Sequence, residues 1–311
     1  MLFLFNMVRQ HIIPQFYLKQ FASKAKRSKT YKIKAYNKEK GKEIYPSLKN
    51  IGLEKYFYDK YDPPIFEIVL SFLEYYASRV YHKILKNKSV EILTDKERTI
   101  FSHFIFTQYT RTKAARELFN QVHTLIYEDL IRTKDFPKKE EFAGGFSSFL
   151  EDRAYLGQLK IMFDPNNDTN KLMRIPTKSS QHIFSLNWEL LINNNEFEFY
   201  TSDHPVFLYE PESDGKTIKG YGIYAFQTPK VEMYFPLSPR LCLAMVGKES
   251  VKFSSGSDNN IEFEELEWIN RQIIAEAYQF IFSKNNTFDY VKRILDLCPE
   301  LKKIDRNRIY V

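Results

Sequence analysis

The chain has 311 residues, 43 % of them hydrophobic and 16 % aromatic, with a formal net charge of +7. That apolar share supports a sizeable core and excludes global disorder, while only 10 Gly and 13 Pro exclude collagen-like and linker-like classes. Two cysteines, Cys242 and Cys298, make neither a disulfide framework nor a metal-ligand spacing, so a reducing cytoplasm is the expected setting and no metal or cofactor is expected. The apolar run Leu2–Phe5 is too short for a signal peptide, and no run approaches a membrane span, so no membrane partner is expected.

Charge is placed unevenly. Between Lys19 and Lys42 there are ten Lys or Arg and one acid, Glu39, which leaves the rest of the chain near neutral. A local basic patch is the electrostatic footprint of a polyanion binder, and a solvated hairpin is the other reading of the same run.

In chain order, the first patterned string is His11-Ile-Ile-Pro14-Gln15-Phe16-Tyr17-Leu18-Lys-Gln-Phe21. Pro14 suits the first position of a helix, where its missing N–H removes no intrahelical bond. A helix over about 14–23 would bury Phe16, Leu18 and Phe21, leaving His11 just outside and Gln15 in the first turn, near amides that attract anions. Residues 30–36 alternate as a strand, 37–42 turn and 43–45 return, a hairpin over 30–45 that carries most of the basic patch. Pro63-Pro64 starts a long helix with Phe66, Val69, Leu70, Leu73, Tyr76, Ala77 and Val80 at 3–4 spacing. Thr94 and Glu97 form a capping box for a second helix that runs on through 108–126, with shorter helical stretches near 146–163.

From Ile183 the period changes. Residues 184–192, a turn of three asparagines and 196–200 predict a second hairpin, 210–222 a loop, and 232–236 with 240–246 a third hairpin. Helices return at 261–280 and 287–298, with a short strand at 280–283. The layout is one α+β domain over 1–311: a mostly helical half, 8–180, with the basic hairpin, and a half with an antiparallel sheet and closing helices, 181–311.

Three polar islands interrupt apolar sequence. They are His11 with Gln15, Gln108 with Arg111 on one helix face, and Thr201-Ser202-Asp203-His204-Pro205 after the Phe197/Phe199 segment. For the second, an interhelical arginine contact is the competing structural reading; for the third, a turn closed on backbone amides.

The opening string, the hairpin's Ala35-Tyr36-Asn37-Lys38, Gln108-xx-Arg111-Thr112, Thr201-Ser202-Asp203-His204-Pro205-Val206, Tyr234-Phe-Pro-Leu-Ser-Pro239 and Ile269-Asn270 occur in that order. Together they resemble the bacterial family Domain of Unknown Function 4238 over roughly residues 8–285, although position 204 is His where family members often carry Asn. The resemblance implies a cytoplasmic effector, since some members are associated with anti-phage defence.

The leading expectation is a defence or toxin-type effector that acts on nucleic acid, most concretely a metal-independent ribonuclease. RNA cleavage through the 2′-hydroxyl needs an acid–base group and a cation for the developing charge. His11 would be base or acid, Arg111 with Gln108 and Gln15 would hold the phosphate, and Asp203 would orient the histidine. Ser202, His204, Lys32, Lys34 and Lys38 would bind substrate, and Tyr31 and Tyr36 would stack bases. RNA is the expected partner, with a phage-encoded trigger as a second. Two other classes stay open: a non-catalytic sensor of a phage component, and a small-molecule hydrolase or transferase built on the Ser202-Asp203-His204 loop.

Overall fold

A computed structural model describes residues 9–24, 30–55, 65–133, 176–209, 229–250 and 260–308. The predicted helices near 146–163 and the loop at 210–222 lie outside the described residues. The described architecture is α+β, as the patterning implied.

A four-stranded antiparallel sheet forms the middle layer, in the order β6 (Asn187–Ile192), β10 (Leu241–Val246), β9 (Glu232–Ser238), β8 (Phe207–Tyr209). Successive strand residues point to opposite faces, so β9 and β10 feed two cores. Met233, Phe235, Leu237, Leu243 and Met245 pack with α2 (Ile65–Asn87), α3 (Asp95–Thr110) and α5 (Pro176–Ser185). Tyr234, Cys242 and Ala244 pack with α6 (Phe263–Glu276) and α7 (Asp289–Leu297) on the other side. Burial on both faces is why β9 and β10 read as continuous apolar runs rather than alternating ones.

The second sheet joins the two halves of the chain. β3 (Tyr31–Asn37) pairs with β2 (Ala22–Lys24), with β4 (Lys42–Ile44) and with β11 (Phe280–Ser283), and β11 pairs with β7 (Thr201–Ser202). The basic hairpin is therefore part of a larger sheet. A separate ribbon pairs β1 (Arg9–His11) with β5 (Leu53–Lys55), placing His11 opposite Leu53. Gly52, at φ +65°, makes the turn whose carbonyl accepts from Ile12 N–H at 2.8 Å.

Several sequence expectations are corrected. The first helix is one short turn, α1 (Gln15–Leu18), followed by a 3-10 turn at Lys19–Phe21, because Ala22 already enters β2; Pro14 is its N-cap rather than its first residue. A four-residue helix has no appreciable dipole, so an anion site at its N-terminus loses its basis. The second long helix breaks at Arg111, whose ψ of 8° leaves the helical region, and Thr112 Oγ1 accepts from Ala115 N–H at 3.2 Å to start α4 (Lys113–Thr133). Phe184 and Ser185 are helical rather than strand, since Arg98 donates to the carbonyls of Phe184 and Leu186 at the end of α5.

The second hairpin does not form. β6 pairs with β10, and 196–200 is held mainly by side chains: Asn286 Oδ1 and Asn270 Oδ1 accept from the N–H groups of Glu198 and Tyr200 at 3.0 and 2.9 Å, and between them Phe199 N–H donates to the carbonyl of Pro239 at 3.1 Å. The predicted capping box at Thr94 and Glu97 is present, as is the β9–β10 hairpin.

Candidate active site

Two of the three polar islands meet. His11 is brought by β1 and Gln15 by the first turn of α1, and the Gln15 amide donates to His11 Nε2 at 2.9 Å. That bond leaves the imidazole proton on Nδ1. From α3, Arg111 donates to Gln108 Oε1 at 2.7 Å and, across to α2, to Glu74 Oε1 at 2.7 Å. Gln108 closes the network with a long 3.5 Å contact to the carbonyl of Ile12.

His11, Gln15, Phe16, Leu70, Ser71 and Glu74 line a cavity of about 230 Å³. The Arg111 side chain is only 1 % exposed and Glu74 is 27 % exposed, so the carboxylate faces the opening and the guanidinium stands behind it. Arg111 is thus a support for Glu74 and not a ready phosphate clamp. Burial holds His11 below the ordinary histidine value; the Glu74 carboxylate pulls it back up and the Arg111 guanidinium adds to the lowering. At neutral pH the group is an unprotonated base beside a carboxylate.

Sequence reasoning missed Glu74. The signal was available: it falls in the buried stripe of α2 with Leu70, Ala77, Tyr81 and Ile84, where a carboxylate needs a partner.

The third island does not join this cleft. The Asp203 carboxylate accepts from the N–H groups of Tyr278, Gln279 and Phe280 at 2.8, 2.7 and 2.9 Å, and makes no hydrogen bond or ion pair with His11. Ser202 is fully buried, donates to the carbonyl of His204 at 2.8 Å and accepts from its N–H at 3.1 Å. His204 Nδ1 meets Thr112 Oγ1 at 2.6 Å, its ring lies 5.2 Å from that of Tyr109, and burial, with Arg308 and Arg306, pushes its pKa down to about 3. Thr201 Oγ1 meets Tyr17 Oη at 2.5 Å, and the tyrosine hydroxyl donates to the carbonyl of Pro236 at 2.8 Å. These motifs touch one another, but as a chain of structural bonds.

The family model described as protein of unknown function DUF4238 matches residues 9–287. The chain belongs to that family. No curated protein and no solved structure matches it. Among the described residues of this DUF4238 chain, no three His, Cys, Asp or Glu side chains gather in a way that could hold a metal ion, and no helix is long and apolar enough to cross a membrane.

Among the described residues the lysine patch is thinner than the sequence implied; its Lys26, Arg27 and Lys29 lie outside them. Lys38 is fully buried and donates to the carbonyls of Ile274 and Ala277 at 2.8 and 2.9 Å, where α6 ends. Arg306 and Arg308 add donors to Ala277 and Glu276, so three basic side chains supply the donors that complete one helix C-terminus. Burial and the nearby Arg306 bring Lys38 down to about 6, against the pull of Asp203. Lys34 is spent on the carbonyl of Asn286 at 2.9 Å. Of the three nominated lysines only Lys32 is exposed, with Lys19, Lys24, Lys40 and Lys42 also exposed around the same sheet. Tyr36 is buried against Phe288 and Tyr31 is half-buried, so Tyr36 offers no face to a base.

Proposed function

We propose that the His11–Glu74 cleft is a metal-independent acid–base site that cleaves RNA, in a cytoplasmic effector of anti-phage defence or of toxin type. The observation that carries this reading is the sharing of one cavity by a neutral, half-buried imidazole and a carboxylate fixed from behind by a buried arginine. His11 Nε2 takes the 2′-hydroxyl proton, the 2′-oxygen bonds to phosphorus, and the bond to the 5′-oxygen breaks, that oxygen taking its proton from water at the open mouth. A substrate hydroxyl displaces the Gln15 amide from Nε2, and the released N–H turns to the charge on the phosphoryl oxygens. Glu74 stabilises the imidazolium that forms, and Arg111 and Gln108 hold Glu74 in place. The role in defence rests on the expectation attached to the family.

The test is cleavage of RNA by the purified protein in the presence of chelator, with analysis of product ends. Cleavage leaving 2′,3′-cyclic phosphates, reduced about 10²–10⁴-fold in His11→Ala with the fold retained, is the expected result. A His11→Ala protein that cleaves as fast as the parent would remove the proposal.

The commitment of Arg111 to Glu74 and Gln108 favours a second reading, a non-catalytic binding module that docks a phage component on this cleft. It gains if no RNA is cleaved while Glu74→Ala still abolishes protection.

A further inference from the structure

Beside the cleft, α2 carries an unusual outer face. Phe72, Tyr75 and Tyr76 are 65 %, 54 % and 50 % exposed. With Arg79 they fall at i, i+3, i+4 and i+7, one stripe of the helix. The stripe is pre-assembled: the rings of Tyr75 and Tyr76 meet edge-on at 5.2 Å, and the Arg79 guanidinium lies 4.5 Å over the Tyr75 ring and donates to its hydroxyl. Its Tyr75 edge borders the cavity, since Tyr75 stands one turn (i to i+4) from Ser71, which lines that cavity. From Phe72 to Arg79 it runs about 10 Å at 1.5 Å per residue.

Charge selects the occupant. Between residues 70 and 88 the only acid is Glu74, and its charge is met by buried Arg111. Arg79 and Lys86 are exposed on the same helix. An apolar protein partner would find cations along this face, and a duplex would hide its bases from the rings. Single-stranded RNA fits both features, since bases stack on aromatic faces and phosphates pair with the cations.

We propose that Phe72, Tyr75, Tyr76 and Arg79 form a base-stacking platform that delivers single-stranded RNA to the His11–Glu74 cleft. The platform names the substrate class of the proposed ribonuclease and to that extent rests on that reading, but its binding is measurable without cleavage.

The experiment uses the full chain carrying His11→Ala and a fluorescently labelled 12-nucleotide RNA, single-stranded or annealed to its complement, with binding read by anisotropy. The single strand should bind more tightly than the duplex, and Phe72→Ala/Tyr75→Ala/Tyr76→Ala should weaken it at least tenfold. Tyr76→Phe, which keeps the ring and leaves the Arg79–Tyr75 contact in place, should bind as the parent does. Arg79→Ala should make the salt dependence shallower by about 0.7 in log–log slope. Equal binding by the triple alanine variant, or equal binding of duplex and single strand, would overturn the platform. So would a triple variant that changes only the protein's self-association. In the cleavage-competent background the triple variant should raise KM for long RNA and leave dinucleotide cleavage unchanged. If KM is unchanged while cleavage persists, the platform fails and the catalytic site stands. If binding is lost as expected in a protein that cleaves nothing, the platform stands and the ribonuclease falls.

Discussion

The His11–Gln15 string and the Thr201–Pro205 loop look alike in sequence, since each is a polar island set in apolar residues, yet the His11–Glu74 cleft and the Asp203–Lys38 cluster that they enter use their polar groups in opposite ways. In the cleft, side chains bond mainly to other side chains and leave one wall open: Gln15 to His11, Arg111 to Gln108 and Glu74. In the cluster, side chains bond to backbone. Asp203 takes the amides of residues 278–280, and Lys38, Arg306 and Arg308 take carbonyls at the end of α6. Groups that satisfy the ends of secondary structure have a structural task already. Groups held by one another around a cavity are poised for a ligand.

The comparison breaks most readily at Lys38. Replacing Lys38 by Glu puts a carboxylate against two carbonyls in a buried site, and a loss of about 4 kcal/mol or more is expected, read as failure to fold or a collapsed denaturant midpoint. Near-parent stability would mean the amine is not needed there. Charge-reversal tests of the basic patch should therefore use Lys32, Lys40 and Lys42 and spare Lys38. Asp203→Asn comes next. It exchanges a charged acceptor for an amide that places N–H against N–H, at about 2–3 kcal/mol by chemical denaturation.

His204 sharpens the comparison through pH. Its folded-state value of about 3 lies below the ordinary 6.5, so the unfolded chain takes up a proton that the folded chain refuses. Its contribution is present in full above 6.5 and is lost as pH falls, with a slope of about 1.4 kcal/mol per pH unit. His204→Asn should flatten the stability profile between pH 6.5 and 5; an unchanged slope would show that the imidazole is not held neutral. The smallest effect belongs to Ser202→Ala, at about 1 kcal/mol for one buried hydroxyl, with RNA cleavage per folded molecule unchanged. Loss of cleavage in that variant would restore the loop as a hydrolase site.

Cleavage itself should show an acid limb below pH 6.5, because His11 acts unprotonated and burial keeps its proton affinity low. Glu74→Gln removes the charge that favours the imidazolium, so that limb should move to lower pH while the maximal rate falls.

The parts of the fold legible in the sequence were those fixed by local rules, such as the Thr94–Glu97 capping box and the β9–β10 hairpin. Residues 197–200 misled because their alternation is real, but the groups pairing their backbone are the side chains of Asn270 and Asn286 and the carbonyl of Pro239, some 40 to 90 positions away. In the site, His11, Gln15, Gln108 and Arg111 could be nominated as polar interruptions, and the geometry brings them together. Glu74 escaped because a carboxylate followed by Tyr75, Tyr76 and Arg79 reads as part of an exposed helix face. Asp203 was nominated for chemistry because sequence cannot show that three amides from residues 278–280 will converge on it.

The most direct test compares His11→Ala with Asp203→Asn for both RNA cleavage and melting temperature. The cleft account predicts that His11→Ala melts with the parent and loses cleavage about 10²–10⁴-fold, whereas Asp203→Asn melts several degrees lower and cleaves at the parental rate per folded molecule. An Asp203→Asn protein that melts with the parent and does not cleave would contradict it, placing the chemistry at the cluster and leaving the cleft as structure.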